Sequence, residues 1–423
     1  MDKNSVFDVV VIGGGPSGLM AAGRSGELGA KVLLLEKNRS LGRKLLLTGQ
    51  GRSNISRAEF NLRELAKGYG REGDFLLFAL SVFGPKETVD FFEKRGLRLK
   101  TERGKRIFPR SDSSGDVLRV LLDYLKKGNV EIMAESQVKK IISQDNRIKK
   151  VVLKDNREIF GRNFIVCTGG KAYPGTGSTG EGYAWLKKLG HTVIKPRPAL
   201  VPLKIKEAWP RAAQGLGLKN VELTVLQNNK KKYSRFGEML FTHFGLSGPI
   251  VLDLSGNIGE LLEKGKVNLI LDLKPALDFQ ILDKRLQSDF LKYGSKLFKN
   301  SLHDLLPQKL IPIIVNLSGI DPDKKANKIK KGERLKLLKL LKGLKMEAVG
   351  TLGFGSAIVT LGGVSLKEIE AKTMKSKIVE NLFLAGEVIN LHGPTGGYNL
   401  QQSWSSGYLA GQSAALIQTK NRP

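Results

Sequence analysis

The chain has 423 residues, 41% of them apolar and 26% charged, the balance of a globular protein with enough core for two or three domains. A single cysteine, Cys167, excludes a disulfide framework, a cysteine zinc site and an iron–sulfur cluster. Lys and Arg outnumber Asp and Glu by 70 to 40, and the resulting +30 favours polyanionic partners, RNA or DNA ahead of an anionic membrane.

The excess is +15 over residues 1–195, +13 over 196–350 and only +2 over 351–423. A Lys-rich host proteome is the alternative source of it. Asp2 and Lys3 lead straight into an apolar run, so no secretory leader is expected and the cytoplasm is the expected compartment. The uncharged stretch from Ala348 to Leu366 holds five Gly, two Thr and two Ser, and reads as strands and turns rather than a membrane span.

Phe7 to Ile12 predicts a buried strand, Gly13-Gly14-Gly15-Pro16-Ser17-Gly18 a turn into a helix of small residues, and Lys31 to Leu35 a second strand ending on Glu36. This is G-x-G-x-x-G between strand and helix, with an acid 18 residues after its last glycine. Gly13 permits the tight turn, Gly15 lets backbone approach a pyrophosphate, and Gly18 permits close helix–strand packing. The helix N-terminus aims free N–H groups at the phosphates, and Glu36 can accept from ribose hydroxyls. Dinucleotide binding is the reading.

Further on, Phe75–Arg95 and Asp116–Lys127 read as helices, the second with Val117, Leu118, Leu121, Leu122 and Leu125 on one face. Val130–Val138, Ile148–Leu153 and Asn163–Thr168 read as strands, the last running into Gly169-Gly170 and enclosing Cys167 as a packed side chain rather than a nucleophile. After His191, Pro196, Pro198, Pro202 and Pro210 punctuate short alternating segments such as Val221–Leu226, which suits a β-rich insert. Residues 276–345 turn helical, with Leu337, Leu340, Leu341 and Leu344 at helical spacing and lysines on the other face.

Between Asn381 and Thr419 the only strong acid or base is Glu387, so the helix predicted from Asn399 to Ile417 must be buried. It follows the strand Leu382–Ala385, the pair Gly386-Glu387 and the loop Gly393-Pro394-Thr395-Gly396-Gly397. Its N-terminus would face an anionic or electron-rich ligand atom. A chain that begins and ends on one nucleotide site, with an insert between, has the layout of a one-FAD flavoprotein rather than a plain NAD dehydrogenase. The expected fold is α/β: a Rossmann-type FAD-binding domain built from both chain ends, with an inserted β-rich and helical module. The expected division is 1–194 for the first part of the FAD domain, 195–275 for the β-rich insert, 276–345 for the helical insert, and 346–423 for return strands and the second part.

Ordered motifs extend over nearly the whole chain: Lys44-Leu45-Leu46-Leu47-Thr48-Gly49-Gln50-Gly51-Arg52-Ser53-Asn54, Arg106-Ile107-Phe108-Pro109, Tyr173-Pro174 with Gly175 to Gly180, Phe241-Thr242-His243-Phe244-Gly245-Leu246-Ser247-Gly248-Pro249, Thr360 to Val364, and Gly396-Gly397-Tyr398-Asn399-Leu400-Gln401. With these the chain resembles the bacterial FAD flavoprotein family of bile-acid Δ4,6-reductase and aminoacetone-oxidase type, which includes ribosomal-RNA dihydrouridine synthases. Ser53 stands where that family's pattern carries Cys, and Asn390 where it commonly has Asp. The resemblance implies an FAD domain assembled from both chain ends and interrupted by an inserted β-barrel-like and small helical subdomain, with Thr48, Gly49, Gly51, Arg52 and Asn54 beside the isoalloxazine or pyrophosphate. It implies that Glu387 bonds the ribityl or pyrophosphate region, and that Gly397, Asn399, Leu400 and Gln401 set a helix N-terminus at the flavin N1–O2 edge. Ser17, Lys37, Lys44, Val138, Thr168, Gly169 and Gly386 complete the candidate cofactor contacts.

The second G-x-G-x-x-G, Gly175 to Gly180, follows a loop instead of a strand, with Lys195 near where a ribose acid would be sought, and reads as a flavin- or substrate-pocket loop. With no other dinucleotide fingerprint, NAD(P)H is expected to visit the flavin pocket transiently as reductant. His191, His243, His303 and His392 are too scattered for a metal site, and none is expected. His243 is the first candidate proton donor, with Tyr398 and His392 behind it. Basic clusters span Lys94–Arg110, Lys230–Arg235 and Lys324–Lys345; Phe108, Tyr233 and Phe236 beside the first two could stack bases. The expected activity is FAD-dependent reduction of a C=C bond, the substrate a uridine of ribosomal RNA. A small-molecule oxidase or reductase (of an amine, ketone or enone) and an RNA-associated flavoprotein with structural FAD stay open.

Overall fold

The computed structural model describes residues 6–419, with side chains described as far as Leu416. Two compact units divide the chain. The first takes the residues up to Pro198 and those from Ala357 onward, and the second is Ala199–Ser356.

The first unit is built on a seven-stranded sheet. Its parallel part runs Glu131–Met133, Val32–Leu35, Val6–Ile12, Glu158–Val166 and Leu382–Leu384, with Val9 opposite both Val32 and Asn163. Val9, Val10, Leu33, Leu34, Phe164, Ile165 and Phe383 are wholly buried. Helices cover both faces of a parallel sheet, which is why these strands read as continuous apolar runs instead of alternating ones. An antiparallel hairpin, Val138–Gln144 with Arg147–Leu153, completes the sheet. This is a Rossmann-type α/β layout.

The helix Pro16–Glu27 leaves the first strand and packs on the C-terminal helix Tyr398–Thr419. The low charge of the latter has a steric partner in its small residues. A Cβ on Gly407 would lie 2.4 Å from the Ser17 carbonyl oxygen, and one on Gly411 would lie 2.3 Å from that of Ala21. The two backbones touch, and Ser25 Oγ donates to the Gly411 carbonyl at 2.9 Å.

Two expected elements are divided in the structure. Phe75–Arg95 is not one helix: Gly73–Val82 ends at Phe83-Gly84, and Pro85–Glu93 starts anew because Pro85 has no N–H to continue the ladder. Val130–Val138 is likewise two pieces, Glu131–Met133 and the start of Val138–Gln144.

The second unit is a closed six-stranded antiparallel barrel with helices. Its strands follow the order Leu203–Ile205, Gly245–Ser247, Lys230–Thr242, Gly217–Gln227, Val267–Asp272 and Leu344–Thr351, and the last returns to the first. Alternation drives it: Val221, Leu223, Val225 and Gln227 point inward on one strand. The helices Phe279–Lys292, Ile311–Ser318 and Lys331–Lys342 carry their own buried leucines and share a core with the barrel. The expected boundary at 345/346 shifts here. Leu344 does not continue the leucine face of the helix Lys331–Lys342; Gly343 breaks that helix and Leu344 opens the strand that closes the barrel.

Candidate functional site

A cleft opens beyond the carboxyl ends of the parallel strands, where Ile12, Leu35 and Cys167 give way to loops. Ligands of open α/β sheets bind in this position. With its open mouth counted, the cleft holds about 1130 Å³ of empty space. Gly13, Gly15, Ser17, Glu36, Lys37, Lys44, Thr48, Val138, Thr168, Gly169, Glu387, Asn399 and Leu400, all expected from the sequence, line it.

The glycines of the turn divide by what surrounds them. A Cβ on Gly18 would sit 1.8 Å from the Gly13 carbonyl oxygen, and one on Gly13, at φ +107°, 2.5 Å from that of Cys167. Both glycines are there for backbone packing. Gly15 has nothing within 4 Å of its Cβ position, so its missing side chain leaves open cleft. The helix Pro16–Glu27 behind it has no side-chain cap and no acid in its first turn, and its N–H groups and positive dipole end are uncompensated.

At the near end of the cleft Glu36 accepts from Gly14 N at 2.8 Å and from Asn38 N at 2.8 Å, which fixes its carboxylate. Lys37 Nζ reaches Thr179 Oγ1 at 2.8 Å and Glu181 at 3.2 Å, and Asn38 Nδ2 donates to Thr176 O at 3.2 Å. Residues Thr176 to Glu181 thereby form a strap along the same cleft. The second glycine motif therefore lines this same pocket.

At the far end Lys44 Nζ and Glu387 Oε2 pair at 2.7 Å, and Glu387 Oε1 accepts from Thr360 N at 2.7 Å. Asn399 ties its own turn, accepting from Gly393 N and donating to Gly393 O, both at 2.9 Å. Thr168 Oγ1 is buried with no partner, an unspent hydroxyl on a cleft-lining residue. Cys167 also lines the cleft, but burial pushes its thiol up to about 12, so it is not a thiolate nucleophile. Burial holds the His392 imidazole below its usual range, against the opposing pull of the Glu72 and Glu387 carboxylates.

Other candidates lie off the cleft. Arg52 is engaged by Glu102 at 2.5 Å and Asp112 at 2.6 Å, with its guanidinium 4.2 Å above the Phe108 ring. Gln401 is wholly buried and faces away, donating to Phe83 O and accepting from Ser56 and Thr88 hydroxyls. Asn54 accepts from Gly397 N at 2.9 Å and so caps the turn before the last helix. Gly49 is exposed, Gly51 has nothing within 4 Å of its Cβ position, and a Cβ on Gly386 would meet Ser17. Tyr398 packs edge-on to Tyr69 at 5.4 Å, beneath Arg57. His243 is exposed, beside Phe244, in the second unit. Among cleft residues the sequence reading passed over, Ser403 was legible: it sits one turn after Asn399 and shares its face. Ser136, Trp185 and Val359 arrive only through tertiary folding and carried no local signal.

The open space at Gly15, the uncapped helix end and the unpaired Thr168 hydroxyl fit a pyrophosphate-bearing dinucleotide. Residues 7–413 match the model of the HI0933-like protein Rossmann domain. The chain belongs to the HI0933-like family. Like that family, it is an FAD-dependent oxidoreductase. This HI0933-like protein is 32% identical over 408 residues (96% of this chain, 98% of the relative) to the 3-dehydro-bile acid delta(4,6)-reductase of Clostridium scindens. It is 29% identical over 418 residues (98% and 99%) to the ribosomal RNA dihydrouridine synthase of Escherichia coli. Two solved structures share the fold: a flavocytochrome c3 fumarate reductase, with TM-score 0.53 and 15% identity over 98% of this chain and 78% of that one, and the 3-ketosteroid delta1-dehydrogenase of Sterolibacterium denitrificans, with TM-score 0.54 and 13% identity over 97% and 100%. No helix among the described residues is long and apolar enough to cross a membrane.

Proposed function

We propose that this HI0933-like protein reduces a C=C bond conjugated to a carbonyl, and that its substrate is a uridine of ribosomal RNA, reduced at C5–C6 to dihydrouridine. What supports the chemistry is that two full-length relatives bear names denoting saturation of such a bond, one in a steroid and one in a pyrimidine. The net charge of +30 favours the polyanionic substrate over the apolar one. The target nucleotide must be presented flipped out or single-stranded.

When bound, FAD supplies hydride at the flavin ring after reduction by NAD(P)H, for which we propose a transient visit to the same cleft. In this reading Gly13, Gly15 and the N-terminus of the helix Pro16–Glu27 hold the pyrophosphate, and the fixed Glu36 carboxylate takes the ribose hydroxyls. Lys37 and Val138 flank that end. Lys44 with Glu387 meets the ribityl chain, and Thr168 spends its hydroxyl on the cofactor. Asn399 and Leu400 bring the start of the last helix to the ring, where N–H donors favour the electron-rich form. His243, exposed in the second unit, is the first proposed proton donor from the sequence, and His243→Ala tests that role. Burial holds His392 toward its neutral form, so little of it carries a proton to donate at neutral pH; Tyr398 is the remaining candidate.

The 32% identity to the bile-acid enzyme supports a second reading, reduction or oxidation of a small carbonyl compound. Mapping dihydrouridine in ribosomal RNA from cells with and without the gene decides between them. Loss of one or a few dihydrouridines on deletion, restored by the wild-type gene, is expected. An unchanged profile refutes the RNA substrate and leaves the small-molecule reading. His243→Ala is expected to slow substrate-dependent oxidation of the reduced enzyme roughly 10²–10⁴-fold, with flavin content unchanged; normal turnover removes His243 from the mechanism.

A further inference from the structure

Of the three basic clusters in the sequence, two are partly neutralised by neighbouring carboxylates. In Lys94–Arg110, Lys100 pairs with Asp112 at 2.7 Å, Lys105 with Glu59 at 2.5 Å, and Arg95 lies 3.9 Å over the Phe91 ring. Phe108 in that cluster is buried beneath Arg52, so it offers no ring to a base. In Lys324–Lys345, Lys324 pairs with Glu333, Arg334 with Asp283 and Lys342 with Asp272, over buried Leu337, Leu338 and Leu341.

The third cluster is spent differently. Gly217–Gln227 and Lys230–Thr242 form a long ribbon joined at Asn228-Asn229, both at positive φ as a tight hairpin turn requires. Gly245–Ser247 reaches only Leu240, Phe241 and Thr242, so among the described residues no strand pairs along the other edge of residues 230–239. Lys230, Lys231, Lys232, Tyr233, Arg235 and Phe236 are all exposed, and no acid occurs between 228 and 237. Only Lys231 has a carboxylate near, Glu222 at 3.8 Å; Lys230, Lys232 and Arg235 form no ion pair among the described residues.

Lysines on an open edge are a usual guard against strand pairing. A guard does not explain two exposed rings: Phe236 is 62% and Tyr233 38% exposed. The pairing sets them on opposite faces, since Tyr233 stands across from Val225 and Phe236 across from Glu222. Cations for phosphates, with a ring on each face for stacking, suit a flexible single strand better than a rigid duplex.

We propose that the ribbon 228–236 is a docking element for single-stranded RNA, with Phe236 and Tyr233 stacking on bases and Lys230, Lys231, Lys232 and Arg235 meeting phosphates. The inference rests on the RNA reading above and adds where the strand is held. The test uses the flavin-loaded full chain and a fluorescently labelled, uridine-rich single-stranded oligoribonucleotide, titrated at several salt concentrations. Phe236→Ala is expected to weaken binding about tenfold, as for loss of one stacked base. Lys230→Gln, Lys231→Gln and Lys232→Gln together are expected to lower the log–log salt slope by about 2, at ~0.7 per phosphate contact on a single strand. Lys331→Gln with Lys336→Gln and Lys339→Gln, in the cluster Lys324–Lys345, should bind as wild type does. An unchanged melting transition of the second unit certifies the fold of each variant. If wild type binds RNA and the ribbon variants bind equally well, the ribbon assignment falls while the RNA substrate stands. If wild type ignores RNA but binds vesicles containing phosphatidylserine, the proposal is overturned, and the dihydrouridine map then judges the substrate separately.

Discussion

Gly15 and Gly18 occupy one six-residue motif and will fail in opposite ways when changed. Gly15 faces empty cleft, so Gly15→Ala should leave the apoprotein's melting temperature within a degree or two of wild type while flavin absorbance is lost or sharply reduced. A Cβ on Gly18 would lie 1.8 Å from the Gly13 carbonyl oxygen, so Gly18→Ala should destabilise the fold itself by about 1–3 kcal/mol, the usual scale of overpacking. Measuring flavin content and apoprotein melting side by side separates them; equal flavin retention in Gly15→Ala would overturn the cradle. Ser53 offers a second contrast. It is wholly buried at φ +58° with a hydroxyl that has no partner, at the position where the family pattern carries Cys. An unpaired buried hydroxyl costs about 1–3 kcal/mol, so Ser53→Ala should raise urea resistance by about 1 kcal/mol without loss of flavin. A fall in flavin affinity would instead show that the hydroxyl serves the ligand. The glycine turn between strand and helix was legible in the sequence because each glycine's place follows from local chain geometry. Arg52 and Gln401 were legible as parts of motifs, but not their partners Glu102, Asp112, Ser56 and Thr88, which are remote in sequence and are brought near only by the fold.

Among the elements, the segment after the strand Val359–Val364 is pinned by a buried imidazole. His191 Nδ1 lies 3.2 Å from Glu368 and Nε2 3.0 Å from Ser376 Oγ, and His191 is only 2% exposed. Burial lowers the His191 pKa, and the Glu368 carboxylate offsets this only in part. The unfolded chain therefore takes up the proton first as pH falls. The stability this residue contributes is complete above its unfolded pKa, about 6.5, and declines as pH drops through the lower folded value. Melting of wild type should thus fall more steeply between pH 7 and 5 than melting of His191→Gln; parallel curves would refute the linkage. Elements of this kind divide by what marks them in the sequence. The buried parallel strands and the uncharged last helix were legible because burial on all sides forces a composition. The break at Phe83-Gly84 was marked by Pro85 but masked by apolar periodicity running through it. Leu344 kept the helical spacing of Leu337 and Leu341, and only the alternation over the strand Leu344–Thr351 places it in the barrel.

For the whole molecule, two separate hydrophobic cores imply two cooperative units. Residues 199–356 expressed alone should unfold in a single sharp, colourless transition. A fragment ending at 345, the boundary that composition suggested, lacks most of Leu344–Thr351, the strand that pairs with both Leu203–Ile205 and Val267–Asp272, and should not. Equal cooperativity of the two fragments would refute this division. The sheet of the first unit carries a different consequence. Phe164, Ile165 and Val166 gain their second neighbour only from Leu382, Phe383 and Leu384, more than two hundred residues later. At synthesis rates of ~5–20 residues per second, this wholly apolar edge emerges from the ribosome roughly ten to forty seconds before the strand that covers it. For that interval the nascent chain depends on a chaperone or on its own lysines to stay unaggregated, and any product truncated before residue 382 keeps the exposed edge permanently.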